Sequence, residues 1–369
     1  MNTGKISENI LKRSVLRRIK SERKEVLNGA GIGEDCAIFS FAGRHVVSCM
    51  QEAVIRLRSG PEYKFDTEPC ITIAHLIIRC VNNLAAAGAQ PVAVMITLLL
   101  PEALEEPDLK AFMGEAEEVC EELSISIAGG QTRVSGMLAT PMAVVTGFGI
   151  LSSSGENVWN PTDNAGNAGY TATNAGHTAG KAAPGQDIVI SKWIGLEGTS
   201  LLALRYREGL LSRYPAYLVD EAVSFDHYLS VLPEAAAAVE FGVCAMHDIS
   251  EGGVFAALWE LAEAAGVGLT VDIKKLPLRQ ETVEICEYCN VNPYELLSGG
   301  SLIMTAEDGP GLTAWLKERQ IPAVIVGKIT DSNDRLLLNG DEVRYMDRPK
   351  RDELYRVYTA CAEKREEIS

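Results

Sequence analysis

The stretch GAGIGEDCAIF, residues 29–39, puts two acids, Glu34 and Asp35, between a glycine-rich turn and an apolar run with the character of a strand. Three glycines in five positions let the backbone bend sharply, so the carboxylates that follow are free to point into one shared space. Mg²⁺ takes oxygen ligands, commonly one or two carboxylates completed by water and substrate phosphates, and such a loop has that composition. The same residues also make an ordinary acidic surface turn. The rest of the chain decides between the two.

At 369 residues the chain suits two domains, and 47% hydrophobic with 23% charged residues reads as globular. The basic run LKRSVLRRIKSERK is followed by no apolar segment of the kind a secretory signal carries. The longest apolar run, PVAVMITLLLP, is too short to span a bilayer, so no membrane role and a cytoplasmic location are expected. A net charge of −16 argues against nucleic acid as the main partner, since duplex binding needs a positive face. Nine scattered cysteines, an odd number and mostly in apolar runs, read as reduced core thiols; Cys286 and Cys289 form a lone CxxC with no second pair.

Apolar spacing predicts a helix over 6–27 with Arg13, Arg17 and Lys24 on its solvated side, then strands near 36–41 and 45–50. A buried helix over 67–87 stops at Gly88. A strand near 91–99, a helix near 106–122 and strands near 124–128 and 138–150 complete an α+β first domain, residues 1–151. Residues 152–185 carry three NAG triplets and almost no aliphatic side chains, which predicts a mobile Gly/Ala/Asn-rich linker; His177 within it is assigned no ligand role. Residues 186–369 resume with strand QDIVISKW, helices near 197–210, 214–223, 228–241 and 251–265, and strands near 268–273, 300–305, 322–328 and 335–345. That alternation predicts a second, α/β domain.

Four more stretches share the chemical style of the first. AGGQTRVSG, residues 128–136, reads as a Gly-Gly turn after a strand, its backbone N–H groups free to cradle phosphate and Gln131 and Thr132 beside them. WIGLEGTSLLAL places Gly195 and Gly198 at a helix start. In MHDISEGGVFAALWELAEAAGVG a helix follows His247, Asp248 and Ser250, with Ser250 or Asp248 as its cap. LSGGSLIMTA, residues 297–306, is a further Gly-Gly turn entering a strand. Each is also everyday structure, and His247 is as readily a structural histidine as a proton carrier. Their order and spacing are more specific than any one of them.

In that order the sequence resembles the aminoimidazole ribonucleotide (AIR) synthetase superfamily, which includes selenophosphate synthetase, thiamine-monophosphate kinase and the hydrogenase expression/formation maturation protein. GIGEDCAIF resembles its Gly-Asp-Asp-Ala-Ala loop, VNNLAAAGAQPVAV its Val-Asn-Asp-Leu-Ala helix motif, and AGGQTRV its Gly-Gly-(Asp/Glu)-Thr turn. GLEGT and HDISEGG are similar to the hydrogenase maturation branch. The resemblance implies an N-terminal α+β domain that binds ATP and dimerises through its sheet, a C-terminal α/β domain, and ATP with Mg²⁺ in a cleft near the acidic loops. It further implies phosphoryl transfer that activates an oxygen of a substrate amide, acid or phosphate, chemistry that depends on positioning and charge neutralisation.

Carried over by position, the resemblance assigns metal to Glu34, Asp35 and an out-of-register Glu52. It assigns phosphate or nucleotide contacts to Gly33, Asn83, Gly129, Gly130, Gln131 and Thr132, and catalytic roles to Asp35, Asp248 and Glu251. The departures are as informative. Asn83 and Gln131 stand where the family has acids, and the acid that closes the family's Thr-Thr-Asp strand falls near Met50 or Gln51. Exchanging carboxylates for amides removes the charge that best offsets the dehydration of Mg²⁺. This chain ends CAEKREEIS rather than in the maturation branch's terminal cysteine, and no cysteine precedes Cys36, so neither that activity nor selenophosphate synthesis is expected. Two readings stand: an ATP-dependent enzyme of unknown substrate with altered or impaired Mg-ATP chemistry, or a non-catalytic homodimeric scaffold or regulatory partner.

Overall fold

Two sheets of seven strands each organise the chain. The computed structural model describes residues 5–20, 23–57, 69–151, 156–157, 169–170 and 178–366. The first sheet is built from β1 (Val26–Asn28), β2 (Cys36–Phe41), β3 (Arg44–Arg56), β4 (Ile71–Thr72), β5 (Gln90–Leu100), β6 (Ser126–Val134) and β7 (Met142–Leu151). Its order is β1-β2-β3-β7-β5-β6, with β4 beside β3. The first helices are α1 (Glu8–Ser14), α2 (Ile73–Ala86) and α3 (Glu106–Glu122). Thr72 caps α2 by accepting from the His75 N–H at 3.2 Å. Pro107 in the first turn, and Asp108 accepting from the Glu105 N–H, start α3 where its sequence pattern begins.

Both α2 and α3 lie on one face of this sheet. Alternation along the strands sends Cys49, Gln51 and Ile55 of β3 toward α2 and Met50 and Glu52 to the other side. On that outer face, transverse rows run Met50–Thr146–Met95 and Glu52–Val144–Thr97. Met50, Met95 and Ile150 are exposed there.

A short pair, β8 (Glu156–Asn157) and β9 (Gly169–Tyr170), precedes the second sheet. That sheet comprises β10 (Asp187–Ser191), β11 (Ala245–Ile249), β12 (Gly268–Asp272), β13 (Ser301–Ala306), β14 (Ala323–Thr330), β15 (Arg335–Asn339) and β16 (Glu342–Tyr345). The order is β11-β13-β10-β14-β12-β15-β16, antiparallel throughout except for β12 with β15. Its helices are α4 (Leu196–Arg205), α5 (Arg207–Leu211), α6 (Ala216–Val223), α7 (Leu232–Phe241), α8 (Gly253–Ala265), α9 (Gln280–Cys289), α10 (Gly309–Glu318) and α11 (Glu353–Glu366). No helix among the described residues is long and apolar enough to cross a membrane.

Four expectations change. The helix predicted over 6–27 is α1 followed by a single 3₁₀ turn, Leu16–Arg18, because Val15 and Ile19 find no core and remain exposed. The predicted Gly-Gly turn at 128–132 is not a turn: Gly129 and Gly130 lie within β6, where the pairing with β5 shifts register. Gly130 has φ 152°, and a Cβ there would come within 1.8 Å of the Ile96 carbonyl oxygen, so only glycine lets the strands meet. AMHDI forms a buried strand, β11, with Gly252 in the left-handed region as the cap of α8, rather than Ser250 or Asp248. Finally, residues 178–185 are packed rather than free: Ala179 and Ala182 are buried against α8. The rest of the predicted linker, including His177, falls mostly outside the described residues.

The two halves are held together by polar contacts. Asn82 of α2 donates to the Leu229 carbonyl at 2.7 Å and accepts from the Val231 N–H at 2.9 Å. Arg79 of the same helix pairs with Glu197 of α4. Gly33, at φ 71°, brings the acidic loop so close to α8 that a Cβ would stand 2.6 Å from the Glu260 carbonyl oxygen.

Candidate functional site

The close approach at Gly33 places Asp35, at the foot of β2, opposite His247 and Asp248 at the end of β11. Between the halves lies a cavity of about 510 Å³, bordered by Lys5, Asp35, Arg79, Asn83, Asp248 and Glu251. A second cavity of about 600 Å³ shares Lys5 and Asp35 with it and is bordered by Arg348, Lys350 and Arg351. Both volumes are in the range of small-molecule sites.

His247 Nε2 lies 3.8 Å from Asp35 Oδ2 and 3.7 Å from Glu260 Oε2. Burial alone would lower the His247 pKa, but the carboxylates of Asp35, Glu260 and Asp248 outweigh it and raise it. Burial and then the Asp35 charge push the Asp248 carboxyl up to about 7. Lys5 closes the other side: its N–H donates to Glu251 Oε1 at 2.8 Å and its ammonium to Glu260 Oε1 at 2.5 Å.

The positions that the resemblance assigns to metal acids are joined by amides. With the Asn83 amide oriented by its partners, its nitrogen donates to both Asp248 oxygens, at 3.2 and 3.1 Å, and its oxygen accepts from Gln51 Nε2 at 2.8 Å. Gln51 therefore joins Asn83 and Asp248 from the inner face of β3. Its neighbour Glu52 points to the opposite sheet face and meets the cavity only at its rim. Glu34 accepts from Asn28 Nδ2 at 2.6 Å and borders the second cavity rather than the first. Gly129, Gly130, Gln131 and Thr132 lie on edge strand β6, roughly 14 Å or three strand spacings from β3, and do not border the cavity. Of the eleven residues assigned to the site, Asp35, Asn83, Asp248 and Glu251 border this cavity together, with Glu52 at its rim.

The N-terminus of α8 does not receive an external anion. Asp352, just before α11, accepts from the Gly252 N–H at 2.6 Å and from the Leu354 N–H at 2.8 Å, so a buried carboxyl of the chain itself fills that position. Burial pushes it up to about 7, against 3.8 for an ordinary Asp. The native state therefore holds an extra proton between about pH 4 and 7, and stability falls as pH rises through that window. Asp352→Asn removes this cost. Relative to the native chain, the variant should gain up to about 2.7 kcal/mol between pH 5 and pH 8, read from denaturant midpoints. A stability difference that does not change with pH would show that Asp352 is not held protonated.

Sequence profiles of the two AIR synthase related protein domains match this chain in order, the N-terminal domain over residues 33–151 and the C-terminal domain over 183–338. The chain belongs to the AIR synthase-related family. It is 27% identical over 252 residues to carbamoyl dehydratase HypE of Rhodobacter capsulatus, covering 67% of this chain and 66% of that protein. It is 24% identical over 342 residues to a putative hydrogenase expression/formation protein of Methanocaldococcus jannaschii, covering 91% of each. Among solved structures, hydrogenase maturation protein HypE in complex with ATP superposes with a TM-score of 0.62 at 18% identity, over 96% of this chain and 97% of that one.

Within this family fold, sequence reasoning missed Lys5, Arg79 and Asp352 at the cleft. Arg79 sits one helical turn before Asn83 on the same face of α2, and that spacing was the available signal. Lys5 and Asp352 reach the site only through the packing of the chain ends. Cys286 and Cys289, on α9, are not part of it; burial pushes the Cys286 thiol up to about 12, which leaves it inert.

Proposed function

We propose that this protein binds a nucleotide, ATP, in the cleft between its domains, and that its Mg²⁺-dependent phosphoryl transfer is altered. The observation that carries the reading is the Gln51–Asn83–Asp248 bridge lying inside an otherwise polar, two-sided cleft. Lys5 and Arg79 are placed to meet phosphate oxygens, and Asp35 and Asp248 face each other across the entrance. The relative solved with ATP supports the choice of nucleotide. Mg²⁺ as the resemblance implies it does not fit the bridge, because the Asn83 and Gln51 amides bring no charge to offset its dehydration.

Asp35 is an acid of the first domain that faces the second across the cleft entrance. Asp35→Ala should abolish any ATP hydrolysis by the purified protein. Undiminished turnover would place the chemistry elsewhere.

The same bridge favours a second reading, a nucleotide-responsive partner protein without turnover. In both readings the protein is a homodimer joined through the outer face of the first sheet. Met50, Met95 and Ile150 are exposed on that face, and no helix of the chain covers it among the described residues.

A further inference from the structure

The His247 ring has its orientation set by its neighbours. Its Nδ1 lies 2.6 Å from the Asp248 carbonyl oxygen, which only accepts, so Nδ1 carries a hydrogen and Nε2 is the nitrogen left to hold a proton or a metal ion. Nε2 is buried and meets no hydrogen-bond partner among the described residues. It faces the carboxylates of Asp35 and Glu260 instead. Two carboxylates facing one buried ring nitrogen call for positive charge there, from a proton on Nε2 or from a bound cation. Lys5 engages Oε1 of Glu260, and the ring faces Oε2.

Ligand atoms of Asp35, His247 and Asp248 all lie within 4.8 Å of one another. We infer that these three residues hold a divalent transition-metal cation of the zinc or cobalt class, through one imidazole nitrogen and two carboxylate oxygens. The surroundings have the form such sites take. The other ring nitrogen of the histidine donates to a backbone carbonyl, and the Asn83 amide donates to the ligating carboxylate of Asp248. The Asp35 side chain is 37% exposed, so it has room to close on the ion.

The donor set selects against Mg²⁺. That ion dehydrates reluctantly and prefers oxygen in octahedral array, whereas a mixed nitrogen and carboxylate set suits zinc and its neighbours. The exchange of two acids for Asn83 and Gln51 leaves two carboxylates at the ion, enough to neutralise a divalent charge. Asp35 belongs to the first domain, and His247 and Asp248 belong to the second. The cation therefore ties the domains together at the mouth of the cleft.

The inference concerns the cation alone, and its test contains no nucleotide, so it succeeds or fails separately from the ATP reading. The chelator-treated full chain is titrated with Co²⁺, followed by visible absorption, and the complex is challenged with Zn²⁺ and with excess Mg²⁺. The expected result is saturable d–d absorption that Zn²⁺ displaces and Mg²⁺ does not. His247→Gln and Asp35→Asn should each weaken Co²⁺ binding by at least about tenfold. Absence of saturable absorption, equal displacement by Mg²⁺, or unchanged affinity in the variants would overturn it. If His247→Gln does not fold, Asp35→Asn, on an exposed side chain, and the Mg²⁺ challenge decide the matter.

Discussion

Arg79→Ala should lower the unfolding free energy by about 3–5 kcal/mol, the range for removing one partner of a buried ion pair. Arg79 reaches from α2 in the first domain to Glu197 on α4 in the second, with Nη2 2.7 Å and Nε 2.8 Å from the same carboxylate oxygen. The Glu197 side chain is only 2% exposed, so without the guanidinium its charge has neither water nor a counter-ion. A Cβ at Gly299 would come within 2.2 Å of its other oxygen, which shows how little room is left for a compensating water. The double variant Arg79→Ala with Glu197→Gln should recover more than about 1 kcal/mol of the loss, since the stranded charge goes with it. A loss under about 1 kcal/mol for the single variant would mean that Glu197 is solvated after all.

Asn83→Asp should convert the amide bridge into a site that requires a cation. The variant sets a carboxylate 3.1–3.2 Å from both oxygens of Asp248 and removes a hydrogen bond to a charged group, worth about 1.5–3 kcal/mol. At pH 8 both groups are pressed to ionise, because Asp248 titrates at about 7, and like charges this close cannot both do so without compensation. In EDTA the variant should therefore be less stable than the native chain by about 3 kcal/mol. Saturating Mg²⁺ should restore most of that, as about 2.7 kcal/mol follows from ligand at a hundred times its dissociation constant. The native chain should not respond. Indifference of the variant to Mg²⁺ would remove the correspondence between Asn83 and a metal acid.

The parts of the fold that sequence makes legible are those decided locally. Helix α3 begins and ends where its apolar spacing, Pro107 and Asp108 say it should. The strand after the acidic loop is legible because Cys36 and Ile38 alternate into the core. Strand β11 is not, because its five residues include His247 and Asp248, and their burial comes from pairing with β13, some 55 positions away in Ser301–Ala306. Gly129 and Gly130 misled for a related reason: glycine permits a turn, but here it permits a close approach between neighbouring strands.

The site was legible in its residue types and less so in their directions. Asp35, Asn83, Asp248 and Glu251 could be assigned from motifs, and all border the cleft. Whether Gln51 or Glu52 replaced the lost acid depended on a single step of strand parity, which a motif does not carry. The contributions of Lys5 and Asp352 depend on where the two chain ends pack, and no local pattern encodes that. His247, as readily structural as a proton carrier by sequence, is a buried ring aimed at two carboxylates.

Calorimetry of ATP binding to the purified protein, with Mg²⁺ and then with EDTA, is the sharpest test of a nucleotide in the cleft. The account predicts saturable binding that persists in EDTA, because Lys5 and Arg79 rather than a bridging Mg²⁺ meet the phosphates. No heat of binding up to millimolar ATP in either condition would contradict it.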